Sequence, residues 1–139
     1  MKIAIGADHR GFRLKEFIKK HVASVEWIDV GTHNEDRTDY PLYAAQVIDC
    51  MKADQAQYGV LICASCGGMA IAANRYSTIY AVVVWNAHSA ELSKTEDNCN
   101  VLVFPSDFIT PEDSLAMIQV WLEAKFKGGR YAERIAMLD

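Results

Sequence analysis

The densest chemistry in the sequence lies at Cys63-Ala64-Ser65-Cys66-Gly67-Gly68-Met69. The apolar run Tyr58–Cys63 (YGVLIC) reads as a buried strand, which leaves Cys63 at its end. A loop of small residues follows and opens a helix at Gly67. Small residues let a ligand approach the main chain closely. The free N–H groups of a helix start make a concavity for anions, and the same positive end favours thiolate over thiol at Cys63. A thiolate beside such donors can attack a carbonyl. It can also remove an acidic C–H proton while the amides hold the resulting enediolate. The competing reading of Cys63 is a buried structural thiol. Cys66, directed into the first helical turn, fits that structural role better. The C-x-x-C spacing also suits a thiol redox pair, whereas as a zinc half-site it lacks a second Cys or His pair at finger-like spacing.

Two further segments carry groups for an anionic ligand. Gly6-Ala7-Asp8-His9-Arg10-Gly11 follows the first strand. There His9 or Arg10 can contact a phosphate, and Asp8 can accept from hydroxyls or cap the next helix. The segment is neither a Walker loop nor a dinucleotide G-x-G-x-x-G. Near the C-terminus, Arg130 and Arg134 stand four residues apart in GGRYAER. On a helix they share a face and can clamp one phosphate, or form a solvated pair with Glu133.

The elements that must position these groups alternate along the chain. Strands are expected at Lys2–Gly6, Val25–Val30, Tyr58–Cys63, Ile79–Val84 and Asn100–Phe104. Helices are expected at Gly11–Val22, from Pro41 to about Ala53, at Gly67–Arg75 and Ala87–Glu96, from Pro111 to about Lys125, and at Arg130–Leu138. Continuous apolar strands alternating with helices imply a parallel sheet covered on both faces. Right-handed crossovers then give a doubly wound, Rossmann-like α/β sandwich of five parallel strands, occupying 1–139 as one domain. In such a fold the ligand lies beyond the carboxyl ends of the strands, where residues after strands 1, 3, 4 and 5 should converge.

Composition narrows the class. With 51% hydrophobic and 23% charged residues the chain is globular, and a net charge of -4 argues against nucleic acid or anionic membrane as a partner. No apolar run approaches the length that spans a bilayer, and the N-terminus lacks a signal-peptide pattern. A cytosolic protein with free thiols at Cys50, Cys63, Cys66 and Cys99 is expected.

Taken together, GADHRGF, Asp39-Tyr40-Pro41, ICASCGGMAIAANR, Asn100–Leu102 and GGRYAER occur in an order and spacing that resembles the ribose-5-phosphate isomerase B family, with its galactose-6-phosphate isomerase relatives. The resemblance covers the whole chain. It implies an aldose–ketose isomerase without metal or cofactor, acting on a sugar phosphate, as a homodimer or homotetramer with sites built across the dimer interface. It implies that Cys63 is the base that moves a proton between C1 and C2, with the Ala64–Gly68 amides (Cys66 and Gly67 among them) and the Ser65 hydroxyl on the developing charge. Asp8, His9 and Tyr40 would line the sugar, and Arg130 and Arg134 would bind its phosphate.

Several positions depart from the family pattern. The loop usually reads C-G-T-G-x-G; here Ala64 and Cys66 replace glycines and Ser65 replaces threonine. The slots of a ring-opening histidine and its following asparagine hold Glu96 and Asp97. Glu96 can serve as the acid if burial raises its pKa. Asp107 stands where an arginine usually contacts phosphate, and must turn away from an anion; Tyr131 replaces a histidine. His88 offers a spare proton donor or a surface residue. These changes leave three readings: an isomerase of ribose 5-phosphate, an isomerase of another sugar phosphate such as allose or galactose 6-phosphate, or a weakened sugar-phosphate-binding module. An isomerase should tolerate Cys66→Gly, whereas a redox protein should not.

Overall fold

The structure, a computed structural model, describes all of residues 1–139. Strands β1 (Lys2–Ala7), β2 (Glu26–Asp29), β3 (Tyr58–Cys63), β4 (Ala81–Val83) and β5 (Val101–Pro105) alternate with helices α1 (Phe12–His21), α2 (Tyr40–Lys52), α3 (Gly67–Asn74), α4 (Ala87–Thr95) and α5 (Pro111–Glu123), and α6 (Arg130–Ile135) ends the chain. The five strands form one parallel sheet in the order β2-β1-β3-β5-β4. The winding direction reverses between β1 and β3. That is the switch point at which an open α/β sheet forms a crevice beyond its carboxyl ends.

Each face of the sheet buries its own apolar layer. Leu14 and Ile18 of α1, Ala90 of α4, and Met117, Ile118 and Trp121 of α5 pack with Ile3, Ile5, Val60, Ile62, Leu102 and Phe104 on one side. Ala44, Val47 and Ile48 of α2 with Met69 and Ala73 of α3 pack with Ala4, Leu61, Val101 and Val103 on the other. Alternate residues of one strand thus serve opposite layers, which is why β1, β3 and β5 read as unbroken apolar runs.

β4 is shorter than the expected Ile79–Val84. The main chain of Ile79 turns back to donate to the Tyr76 carbonyl, and the Tyr80 amide donates to the Asn100 side chain. On the outer edge of β4 the Asn74 carboxamide donates to the Ala81 carbonyl at 2.7 Å and accepts from its N–H at 2.8 Å. A single side chain thereby supplies the pairing that a further strand would.

One polar cluster lies under α1. The Lys15 side chain is fully buried, with Nζ 2.6 Å from Asp29 Oδ2, and Lys19 reaches the same carboxylate. Burial pushes the Asp29 pKa up, but the two ammonium groups and the Gly31 N–H outweigh it and hold the carboxyl below its ordinary value.

Candidate active site

β1 and β3 are adjacent, with Ala7 beside Ile62, so Asp8 and Cys63 leave the sheet side by side at the switch point. Asp8 is buried, and its Oδ1 accepts from the N–H groups of Arg10 and Gly11 at 3.0 Å each. It therefore shapes the turn into α1 as well as standing next to the thiol. Gly11 is required there, because a Cβ would lie 2.5 Å from the Ile62 carbonyl oxygen. His9 Nδ1 accepts the Thr38 N–H at 3.3 Å, which places the neutral ring's proton on Nε2 as a donor.

Beyond Cys63, the Ala64–Cys66 loop turns into α3. Ala64 keeps an ordinary backbone; the left-handed conformation falls on Cys66 instead, with φ of 65°. No side chain caps α3, so its first N–H groups stay available. The Cys66 thiol lies 3.0 Å from Cys63 Sγ. Hydrogen bonding from Cys66 lowers the Cys63 pKa most strongly; burial and the Asp8 charge oppose it, and the backbone N–H groups of Cys66 and Met69 assist. The net direction is down, toward thiolate. Cys66 itself is pushed far up by burial and by the neighbouring sulfur, so it remains the thiol.

Tyr40, at the start of α2, lies over this loop: a Cβ on Gly68 would come within 2.5 Å of the Tyr40 hydroxyl oxygen. Ser65 and Gly67 are exposed beside it, and Ala64 and Gly68 are half-buried. Ser106, which sequence reasoning did not single out, ties the loops together. Its hydroxyl lies 3.0 Å from the Cys63 carbonyl and 3.2 Å from that of Arg10. A serine immediately after a strand was the only available signal. Asp107 does turn aside, into a salt bridge with Arg10 at 2.8 Å, so the acid and the cation of two facing loops neutralise each other. His88 is an exposed residue near Glu91 and touches none of these groups.

The remaining expected residues gather at the other end of the sheet. α4 and α5 both run back toward the amino edge, and there Lys127 N–H donates to the Thr95 carbonyl. Glu96 pairs with Lys127 at 3.0 Å and accepts from the Tyr131 hydroxyl at 3.3 Å. The Arg130 and Arg134 guanidiniums lie 5.1 and 5.6 Å from the Tyr131 ring centre. The Asp139 carboxylate anchors the tail to Thr78 and Tyr80, ahead of β4. One expectation needs correction. Glu96 is not raised by burial: the Lys127 hydrogen bond, with Tyr131 and Arg130 in support, holds its pKa down and makes it a weak proton donor. Asp97, raised by burial and by the Glu96 charge, is the better acid of the two. Arg130 and Arg134 stand apart from Cys63 within one chain. β3 has six residues, so the two edges are separated by roughly 17 Å at a rise of about 3.3 Å per residue.

Cys63 lines none of the four cavities formed by a single chain. The largest, about 660 Å³, lies at the amino edge and includes Tyr80, Asp97 and Asp139. Half of the chemistry thus stands at each edge, with the thiol on one and the arginines on the other. No helix is long and apolar enough to cross a membrane.

Comparison with known proteins agrees with this geometry. Residues 3–138 match the family model described as Ribose/Galactose Isomerase. The chain is 42% identical to ribose-5-phosphate isomerase B of Escherichia coli K12 over 96% of this chain and 91% of that one. The crystal structure of a ribose 5-phosphate isomerase from Thermotoga maritima superimposes with a TM-score of 0.97 at 38% identity, covering 99% of this chain and 97% of that one. The Mycoplasma genitalium ribose-5-phosphate isomerase B, solved with bound ribulose-5-phosphate, gives 0.92 at 33% identity, covering 99% and 93%. The chain belongs to the ribose/galactose isomerase family.

Proposed function

We propose that this protein interconverts ribose 5-phosphate and ribulose 5-phosphate, with Cys63 as the base. One observation carries the reading: in a chain of this family, the thiol at the switch point is biased toward thiolate beside the N-terminus of α3, whose Met69 N–H bonds the sulfur and which no side chain caps. Cys63 takes the proton from C2 of the open-chain aldose. The enediolate oxygens accept from the loop amides and the Ser65 hydroxyl, the proton on O2 passes to O1, and the Cys63 thiol returns its proton to C1, which leaves a C2 carbonyl and a C1 hydroxyl. Asp8 accepts from sugar hydroxyls, His9 Nε2–H donates to the sugar or its phosphate, and Tyr40 covers the chain of carbons. A relative named for this reaction, and one solved with ribulose-5-phosphate, support the choice of sugar.

The site is completed by a second copy in a homodimer in the cytoplasm. Its Arg130 and Arg134 bind the phosphate and its Asp97 or Glu96 protonates the ring oxygen. The separation of the two edges supports this, as do the exposed Tyr40, Leu42 and Ile71 on α2 and α3 flanking the thiol, which give an apolar surface to cover. The ionised Glu96 and the Arg10–Asp107 bridge favour a second reading, an isomerase of another aldose phosphate with different charge demands.

The test is turnover of ribose 5-phosphate, and of allose and galactose 6-phosphates, in the presence of a chelator. Ribose 5-phosphate should be converted most rapidly, and Cys63→Ala should lose on the order of a hundredfold. Undiminished turnover in Cys63→Ala would overturn the base; a clear preference for a hexose phosphate would select the second reading.

A further inference from the structure

The catalytic loop holds two sulfurs where proton transfer needs one. The left-handed conformation of Cys66 costs a residue with a Cβ about 1 kcal/mol, and it turns the side chain inward beneath the loop. There Cys66 Sγ lies 3.0 Å from Cys63 Sγ, 2.9 Å from the Cys63 backbone nitrogen and 2.9 Å from the Phe104 carbonyl oxygen. Since a disulfide spans about 2.05 Å, the two sulfurs need to close by only about 1 Å. Cys66 is fully buried, whereas Cys63 keeps 6% of its surface at the open carboxyl edge. Of the two, only Cys63 has any exposed surface.

We propose that Cys63 and Cys66 form a peroxide-responsive dithiol that closes to a disulfide and so switches the isomerase off. The loss of activity rests on Cys63 being the base; formation of the disulfide does not. In the first step the Cys63 thiolate attacks a peroxide oxygen, the O–O bond breaks, and a proton leaves with the second oxygen as water, giving Cys63 sulfenic acid. In the second step the Cys66 sulfur attacks the Cys63 sulfur. The S–OH bond breaks, and the hydroxide leaves as water with the Cys66 proton. Two thiols are oxidised to one disulfide and one peroxide is reduced to two waters. Burial, and then the hydrogen bond and charge of the Cys63 sulfur, keep Cys66 protonated. The charge of Cys63 vanishes once it is a neutral sulfenic acid, which removes one of the barriers to the second step after the first. Cys99 does not compete, because burial pushes its pKa up to about 11. Cys50 is raised by burial and by Asp49.

The experiment treats the reduced protein with hydrogen peroxide, removes the oxidant, alkylates and maps the peptides. Two of the four thiols should resist alkylation, the chain should lose about 2 Da, and the map should join Cys63 to Cys66. Turnover of ribose 5-phosphate should fall by more than about tenfold and return with dithiothreitol. In Cys66→Ala, with no second sulfur to capture the sulfenic acid, excess peroxide should carry Cys63 on to sulfinic or sulfonic acid, seen as a gain of two or three oxygens, and dithiothreitol should not restore that variant's starting turnover. Retention of all four reactive thiols, or a bond from Cys63 to Cys50 or Cys99, would overturn the proposal. A Cys63–Cys66 disulfide with undiminished turnover would support the dithiol and refute Cys63 as the base instead.

Discussion

If the thiol and the phosphate clamp that completes its site come from different copies, two inactive variants should rescue each other. One variant is Cys63→Ala, which lacks the base but keeps both arginines. The other is Arg130→Ala/Arg134→Ala, which keeps the base. Within a chain the two sets stand at opposite edges of a sheet whose central strand has six residues, a gap of roughly 17 Å that no arginine side chain bridges. Every site in a homodimer of either variant is therefore defective. When the two are mixed one to one and allowed to exchange subunits, about half of the dimers are hybrids. Each hybrid has one site with both elements and one with neither, so the mixture should regain about a quarter of wild-type turnover. The assay is ribulose 5-phosphate formation before and after exchange by denaturation and refolding, with mass spectrometry under native conditions to confirm hybrids. Hybrids that form without regain of activity would refute the shared site, as would an arginine double variant that is active alone. Arg130 and Arg134 lie on the exposed α6, whereas Cys63 belongs to the buried layer under α2 and α3, so a thermal melt of Cys63→Ala accompanies the assay.

Further outcomes follow from single residues. With the Cys63 thiolate as the proposed base and its pKa lowered, the rising limb of kcat/KM with pH should have its midpoint below that of a free cysteine. Cys66→Ala, by removing the largest lowering cause, should move that midpoint up; an unmoved limb would show that Cys66 does not tune the base. Gly68→Ala should push Tyr40 off the loop, 2.5 Å being too close for its hydroxyl, and raise KM more than it lowers stability, checked by kinetics beside a thermal melt. Asp29→Ala should cost about 3 kcal/mol in denaturant melts, because Lys15 is left buried with only the half-exposed Glu16. The folded-state pKa values of Asp29 and Glu16 are depressed. Their stabilisation should be full above the unfolded carboxylate value near 4 and disappear as pH falls through the folded values, giving the variant a flatter acid limb. Asp107→Ala should leave stability within about 1 kcal/mol, since the Arg10 bridge is exposed.

The parts of this structure that were legible in the sequence share a cause. β1, β3 and β5 are buried on both faces, so each announces itself as an unbroken apolar run, and the strand-then-small-residue pattern located Cys63. β4 was over-extended because Ile79 and Tyr80 are apolar enough to read as strand. Their main-chain partners, Tyr76 and the Asn100 side chain, are not visible in periodicity. The charge state of Glu96 escaped for a similar reason: Lys127, the group that sets it, lies 31 residues away. Cys66 was assigned to the interior, correctly, but its contact with Cys63 depends on a positive φ that no residue preference signals outside glycine. The separation of Arg130 and Arg134 from Cys63 follows from the direction of α4 and α5, which topology supplies and motif spacing does not.

The carboxamide of Asn74 decides how copies of this chain can meet. An open strand invites addition of a like strand, and a parallel sheet that grows in this way has no reason to stop. With Ala81 already bonded on that side, β4, one of the two edge strands, offers a shortened template. At that edge, contacts through side chains are favoured, and these can close on themselves as a discrete pair rather than run on as a fibre. For the proposed pair, which would bring opposite ends of two sheets together, denying the β4 edge its cheapest means of growth favours the closed assembly over a fibre.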